Sequence, residues 1–129
     1  MAEPRTVEQK RAERALARVQ AVKNDTGIKK SEYVTLAKRA PANIQTNGLG
    51  QTLAFWRSKG KGKRQDAAET IYQDVSKWVC KQMAWGENED LLTKITMCNT
   101  PDYRRATVET MAFLNWLKRF AEAELGDEK

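Results

Sequence analysis

Glycine and proline divide this sequence into short segments, and that division most limits what the chain can fold into. Within the segments, apolar residues recur every three or four positions, which is typical of amphipathic helices, and no segment alternates apolar and polar residues as a strand would. We therefore expect an all-α fold, a single compact bundle of about six helices with short loops. The dividing residues are Pro4, Gly27, Pro41, Gly48, Gly50, Gly60, Gly62, Gly86, Pro101 and Gly126.

The length of 129 residues fits one helical domain over residues 1–129, and the hydrophobic fraction of 40% is enough for a core. Within this domain, residues 59–64 are predicted to form a mobile basic loop and residues 126–129 a disordered tail. The first 20 residues are rich in charge, and no apolar run approaches the roughly 18 residues of a membrane-spanning helix. We therefore expect no secretory signal and no membrane partner, and predict a cytoplasmic protein.

Capping signals predict where three of the helices begin. Thr6 followed by Gln9 has the form of a capping box, so the first helix should begin there. Asp66 is expected to cap a helix that runs to about Trp85. The final helix should begin at the stretch 100–102, Thr-Pro-Asp, with threonine as the cap, and run to about Leu125.

Between residues 30 and 58 the sequence predicts three short helices. The first spans 30–40 and ends before Pro41, because a residue that precedes proline disfavours helical geometry. Lys38 and Arg39 would then lie in its last turn, where cations suit the negative end of the helix dipole. A second helix covers 42–47, and a third covers 49–58.

The predicted core lies on the apolar arcs of these helices. The final helix is apolar over more than half of its circumference, as expected for a helix that is central in a bundle or half covered by another subunit. Phe55 and Trp56 fit core packing, but their position beside a basic loop also fits a platform on which bases stack. The core residues predicted are Leu16, Leu36, Leu53, Phe55, Ile71, Trp78, Phe113, Leu114 and Leu117.

Residues that carry catalysis are scarce. The chain has no histidine, which removes the commonest general base, and its only cysteines are Cys80 and Cys98. Two thiols without imidazole do not make a zinc site, so we expect reduced packing residues. The carboxylates are scattered and no Walker motif is present. We therefore predict no catalytic residues, no metal site, no cofactor and no enzyme activity.

The net charge of +6 is unevenly distributed along the chain. Residues 1–64 hold 15 Lys/Arg and 5 Asp/Glu, a balance of +10, whereas residues 65–129 hold 8 and 12, a balance of −4. This asymmetry suggests one face for a polyanion and another face for protein. The alternative is that the charges only keep the chain soluble.

The stretch 41–64 joins an apolar segment to the basic sequence 59–64, which contains four cations and two glycines. We interpret it as a scaffold that presents cations to a phosphate backbone, although a solvated linker has the same composition. Cations spaced along the first helix are either a solvated face or a stripe that faces RNA or a partner. The predicted RNA-binding residues are Lys59, Lys61, Lys63, Arg64, Arg57, Lys38, Arg39, Arg14 and Arg18.

Several sequence blocks, taken together and in order, resemble the small subunit of the type III-B CRISPR effector, the Cmr complex. Each block is weakly specific by itself, and the region 64–100 matches mainly in being helical. The blocks are Gln9-Lys10-Arg11-Ala12-Glu13-Arg14-Ala15, Asn47-Gly48-Leu49, Gln51-Thr52-Leu53-Ala54-Phe55, Ser58-Lys59-Gly60, Tyr103-Arg104-Arg105-Ala106-Thr107-Val108-Glu109 and Phe113-Leu114-Asn115-Trp116-Leu117-Lys118-Arg119-Phe120-Ala121.

This resemblance implies a helical bundle without nuclease activity that works in antiviral defence. Copies of such a subunit stack along a filament, beside backbone subunits that grip the guide RNA, and line the groove where target RNA pairs. The implied partners are other Cmr subunits, further copies of the chain, guide RNA and target RNA. Cleavage is implied to belong to the neighbouring backbone subunit, so no catalytic residue carries over.

Three other classes of function remain open from the residues alone. A helical adaptor that binds protein and no nucleic acid would use the wide apolar arc of the last helix. A helix-turn-helix regulator would need a polar recognition helix, and the candidate around Phe55 and Trp56 is too apolar. An enzyme lacks any constellation of catalytic groups.

Overall fold

The computed structural model describes residues 4–126, and that range contains six α-helices and no strand. The predicted all-α class and number of helices are confirmed. No helix within this range is both long and apolar enough to cross a membrane. The helices are α1 (Val7–Asn24), α2 (Lys30–Asn47), α3 (Leu49–Gly60), α4 (Ala67–Gln82), α5 (Leu91–Met97) and α6 (Thr100–Leu125).

Helix α4 lies at the centre of the bundle. Of its 16 residues, 12 are buried, and it packs against α2, α3, α5 and α6. Polar side chains such as Glu69 and Asp74 are among the buried ones, so α4 is enclosed on more than its apolar face. Helix α6 packs mainly along α1 and α2 and buries one stripe that includes Phe113, Leu114 and Leu117. Helix α4 is therefore the most completely buried helix, and α6 packs against α1, α2, α4 and α5.

The capping predictions hold at α1 and α4. The Thr6 hydroxyl accepts a hydrogen bond from the Gln9 backbone N–H, and the Gln9 side chain accepts one from the Thr6 N–H. Asp66 accepts from two backbone N–H groups at the start of α4. At α6 the cap is Asn99 rather than Thr100, one residue earlier than predicted. Helix α4 ends at Gln82, three residues before the predicted end.

Helix α2 runs without a break through Pro41, so the predicted end at residue 40 is wrong. A proline inside a helix removes one hydrogen bond and costs about 3 kcal/mol or more. Here Ala37, Ala40 and Ile44 are buried on both sides of the proline, and their packing outweighs that loss. The segments predicted as 30–40 and 42–47 are one helix, and Lys38 and Arg39 lie near its middle.

Seven of the nine predicted core residues are buried: Leu36, Leu53, Ile71, Trp78, Phe113, Leu114 and Leu117. The other two predictions are wrong. Leu16 is only half-buried, because α1 turns Ala15, Val19 and Val22 inward instead. Phe55 is 52% exposed, because it lies about 110° around α3 from the centre of the buried face.

The predicted tail at 126–129 lies outside the described residues except for Gly126, which follows the end of α6. Both cysteines are free thiols, as expected. Cys80 is buried in α4, and this burial raises the pKa of its thiol. Cys98 follows α5 and is partly exposed.

Candidate nucleic-acid interface

The basic segment begins inside α3 rather than in a loop. Lys59 and Gly60 belong to the last turn of this helix, so the predicted loop at 59–64 begins two residues too early. Gly60 is buried, and a Cβ atom at this position would lie 2.7 Å from the backbone nitrogen of Glu69. Glycine is required here because α3 and α4 approach each other closely, not because the backbone is free.

The loop that connects α3 to α4 forms tight turns that project cations outward. Lys61 and Gly62 both have positive φ, 54° and 74°. The Lys63 backbone N–H donates to the Gly60 carbonyl at 3.0 Å, and the Asp66 N–H donates to the Lys63 carbonyl at 3.0 Å. The side chains of Lys61, Lys63 and Arg64 are exposed. We call these three residues the loop cations, and the mobility of the loop stays a prediction.

Arg57, predicted to contact RNA, lies in a polar cluster between α3 and α4. Its Nη2 donates to Asp90 Oδ1 at 2.8 Å, and its guanidinium lies 4.3 Å from the centre of the Tyr72 ring. Burial disfavours the charged form of Asp90, but the hydrogen bonds that it accepts from Tyr72, Thr93 and Arg57 outweigh this effect and lower its pKa. Arg57 therefore joins α3 to α4 and to the residue that caps α5.

Arg18 pairs with a buried carboxylate in α4. Its Nε lies 2.6 Å from Asp74 Oδ1, and the Tyr33 hydroxyl donates to Asp74 Oδ2 at 2.8 Å. Burial raises the pKa of Asp74, and the charge of Arg18 opposes that rise. Asp74 is only 3% exposed, so removing Arg18 would leave a buried carboxylate without its cation.

Arg14 also points into the molecule, over the Trp78 ring at 5.5 Å and toward Glu87 at 3.2 Å. A cluster around Glu109 lies beside Arg14 and was not predicted from the sequence. Arg11 donates to both oxygens of Glu109, at 2.7 and 2.9 Å, and Trp78 Nε1 donates to the same carboxylate at 2.7 Å. The cations of α1 therefore do not form a simple solvated face.

The remaining predicted contacts differ in how strongly they are already paired. Lys38 lies 3.9 Å from Glu122 and Lys59 lies 3.4 Å from Glu32, both as partly exposed pairs. Such pairs contribute little and exchange readily for another anion. Within residues 4–126, Arg39 and the loop cations have no carboxylate at ion-pairing distance.

These ion pairs also show how folding changes the uneven distribution of charge between the two halves of the sequence. Cations from the first half of the chain pair with acids from the second half, as in Arg11–Glu109, Arg18–Asp74 and Lys23–Glu124. These pairs join the two halves across helix contacts and offset part of the positive charge of the first half. The loop cations remain as the concentrated positive charge near the end of α3.

A groove of about 880 Å³ between α2 and α3 was not predicted from the sequence. Residues of α2 on both sides of Pro41 line the groove, so a predicted helix end at Pro41 conceals it. If α2 is taken as one helix, the polar residues along one of its faces indicate the groove. The lining residues include Glu32, Arg39, Asn43, Asn47, Gln51, Phe55 and Lys59.

In the part of the chain that the structure describes, no group of three or more Cys, Asp or Glu side chains is arranged to hold a metal ion. The candidate interface consists of cations, amides and the exposed ring of Phe55, groups that can attract and pack against a polyanion. Contacts of the cationic kind fix position on a phosphate backbone without reading its sequence.

A model of the family described as CRISPR-associated protein (Cas_Cmr5) matches residues 7–124. A curated relative, the CRISPR system Cmr subunit Cmr5 of Thermus thermophilus, is 29% identical over 119 residues, which cover 92% of this chain and 96% of the relative. The crystal structure of a CRISPR-associated Cmr5 family protein from the same organism superposes with a TM-score of 0.74 at 28% identity. That match covers 93% of this chain and 98% of the other.

Proposed function

Since the chain belongs to the Cas_Cmr5 family of CRISPR-associated proteins, we propose that it is a non-catalytic small subunit of a type III-B CRISPR effector complex that targets RNA in antiviral defence. The family match spans six helices, from residue 7 to residue 124. The relative from Thermus thermophilus is named a Cmr subunit, which supports assembly of this chain with other Cmr subunits. The proposed assembly takes place in the cytoplasm.

The subunit lines the filament and stabilises guide and target RNA through its basic surface. The loop cations are the single observation that carries this contact, because they are three exposed charges within four residues and have no carboxylate partner within residues 4–126. Phosphates attract such charges without regard to sequence, so the contact is with the RNA backbone and its shape. Further copies of the chain and a backbone subunit are its protein partners.

The loop is a better phosphate contact than the neighbouring groove between α1 and α4. Arg64 and Lys77 lie on that groove, and Arg14 and Arg18 line it as well, but they are accompanied by equally many acids. Those acids are Asp25, Glu69, Asp74 and Glu87. The groove is close to neutral as a whole, whereas the tip of the loop is not.

The test compares RNA binding of two variants that remove the same charge from opposite ends of the bundle. The loop variant carries alanine at Lys61, Lys63 and Arg64. The matched control carries alanine at exposed cations near the start of α1, the end of α4 and the start of α6, namely Lys10, Lys81 and Arg104.

Filter binding of single-stranded and duplex RNA over a salt series gives the measurement. Each phosphate contact contributes about 0.7 to the salt slope for single strands, so the loop variant should lose about 2 from that slope and bind more weakly. The control should keep most of the slope. If both variants bind like the unmodified chain, or if binding does not depend on salt, the loop is not the contact.

One observation favours a second function, that of a helical adaptor that binds protein and no nucleic acid. At the end of the bundle away from the loop, apolar side chains are exposed, with Val7 at 49% and Val108 at 67%. They line a shared groove with Arg104 and Arg105. Copurification separates the two functions, because the adaptor predicts a protein partner without RNA in the same fraction.

A further inference from the structure

The α2–α3 groove is bounded at both ends and is lined by polar side chains together with Leu36 and Phe55. The two helices are joined at Gly48, and the Lys59–Glu32 pair at 3.4 Å links the end of α3 to the start of α2. The helices are therefore antiparallel, and the groove runs between them from the joint to this ion pair. Glu32 is compensated by Lys59, which leaves Arg39 as the uncompensated charge on the groove.

An aromatic ring is exposed in this groove. Phe55 is 52% exposed, while the adjacent Trp56 is fully buried. Among the described residues, no other aromatic side chain is comparably exposed. Phe55 lies one turn before Lys59, so the ring and the basic end of α3 belong to one continuous surface.

The groove also carries groups that can recognise the edge of a base. Asn43, Asn47 and Gln51 line it, and each side-chain amide offers both a donor and an acceptor. A ring face, amides and a cation together match the three parts of an unpaired nucleotide: its base face, its base edge and its phosphate. Grooves with aromatic rings also bind peptides, but a groove that adjoins the basic end of α3 favours a polyanion over a peptide.

We propose that the α2–α3 groove binds one unpaired nucleotide of the RNA whose phosphates contact the loop cations. Phe55 stacks on the base, the amides of Asn43, Asn47 and Gln51 contact its edge, and Arg39 contacts a phosphate. This inference rests on the proposed RNA-binding function and adds a base contact to a surface that otherwise recognises only charge.

The experiment measures binding of two single-stranded RNA probes, an oligoadenylate and an abasic RNA of equal length and equal charge. Phe55→Ala should weaken binding of the oligoadenylate by about 5- to 100-fold and leave abasic binding unchanged, because stacking contributes only where a base is present. Phe55→Trp should restore binding. Val108→Ala, which removes an exposed apolar side chain from α6, is the matched control and should bind both probes normally.

The charge and stacking contributions separate in the salt series. Phe55→Ala removes no charge, so its salt slope should equal that of the unmodified chain, whereas the loop variant should lose slope with both probes. A 2-aminopurine in the oligoadenylate should be quenched on binding to the unmodified chain, and Phe55→Ala should abolish this quenching. Circular dichroism checks that the variants keep their helices.

Three outcomes would overturn the inference, and they differ in whether they also contradict the proposed function. If the unmodified chain binds neither probe, the proposed function fails and the groove assignment fails with it. If both probes bind with a salt slope but Phe55→Ala behaves like the unmodified chain, only the groove assignment fails. If Phe55→Ala binds RNA normally but no longer joins the effector complex, the groove is a protein contact.

Discussion

Gly60 lies where α3 passes closest to α4, and its lack of a side chain permits that approach. A Cβ atom there would lie 2.7 Å from the Glu69 nitrogen and 2.8 Å from the Glu69 Cβ, both part of or next to the backbone of α4. Neither atom can move without shifting the start of α4. The residue therefore sets the distance between two helices.

Gly60→Ala should lower the free energy of unfolding by about 1–3 kcal/mol, the usual range for overpacking. Helix propensity alone predicts the opposite sign, a gain of about 0.5–1 kcal/mol. Urea unfolding followed by circular dichroism decides between them. Ser58→Ala, an exposed change in the same turn, should stay within about 0.5 kcal/mol. A stabilised Gly60→Ala chain would show that the helices do not touch here.

Asp90 makes stability depend on pH in a direction that follows from its environment. Although burial acts against it, hydrogen bonds from Tyr72, Thr93 and Arg57 lower the pKa of Asp90 in the folded state. Its stabilising contribution is therefore complete above the unfolded carboxyl pKa of about 3.9, and it is lost as pH falls through the folded pKa.

Asp90→Asn should be less stable than the unmodified chain at neutral pH, and the difference should shrink as pH falls below about 4. Asparagine caps helices about as well as aspartate, so the cap of α5 is retained. Urea unfolding at a series of pH values measures the difference in unfolding free energy between the two chains. The other carboxylates contribute equally to both chains, so their effects cancel in this difference. A difference that grows toward acid pH would contradict the lowered pKa.

At the scale of single residues, local chemistry could be predicted and distant partners could not. The caps at Thr6 and Asp66 depend on residues within three positions, so the sequence contains the whole interaction. Arg18 and Asp74 are 56 positions apart. Their pairing depends on how α1 lies beside α4 in the folded chain, so the sequence alone does not distinguish Arg18 from a cation that is free to contact RNA.

At the scale of elements, α6 shows how a buried stripe stabilises a long helix. Leu117 is fully buried, as are Phe113 and Leu114 on the same stripe. Leu117→Ala should lower the free energy of unfolding by about 2–5 kcal/mol, through lost burial and the cavity that remains. Chemical unfolding measures it.

The matched change for this helix is Val108→Ala, because Val108 is 67% exposed. It should alter the unfolding free energy by no more than about 0.5 kcal/mol. An unchanged midpoint in the Leu117→Ala chain would place that side chain outside the core. A large loss in Val108→Ala would instead show that this side chain is packed in the folded state.

Helix α2 marks the limit of predicting elements from local signals. The periodicity of its apolar residues continues across Pro41, from Tyr33 and Ala37 to Ile44. The local cost of proline inside a helix is large, so the local signal predicts a helix end at Pro41. Tertiary packing outweighs that cost, and the α2–α3 groove exists because residues on both sides of Pro41 lie on one helix.

At the scale of the whole molecule, the net charge of +6 was a better guide to the folded surface than the separate charge balances of the two halves of the sequence. The two halves, +10 and −4 in the sequence, pair with each other through contacts such as Arg11–Glu109 and Arg14–Glu87. Which cations remain exposed is decided only when the helices have packed. Within residues 4–126 the loop cations have no carboxylate at ion-pairing distance, although Lys63 and Arg64 line a surface pocket with Asp25 and Asp66.

The position of α4 leads to a prediction about the unfolding of the whole chain. Because α4 packs against α2, α3, α5 and α6, and α6 in turn holds α1, no helix pair has a core separate from the rest. A chain of this size with one shared core should unfold in a single cooperative transition. The expectation of a single domain over residues 1–129 is tested in the same way.

Urea unfolding should give coincident curves from tryptophan fluorescence and from far-ultraviolet circular dichroism. The fluorescence reports on Trp56 in α3, Trp78 in α4, Trp85 after α4 and Trp116 in α6, so it samples separate elements of the bundle. In the Leu117→Ala chain both curves should move by the same amount. Helix α6 packs against α4, so a loss of packing at α6 destabilises all the helices that α4 contacts. If the fluorescence and dichroism curves separated in either chain, the bundle would unfold in more than one step, and its helices would not share one core.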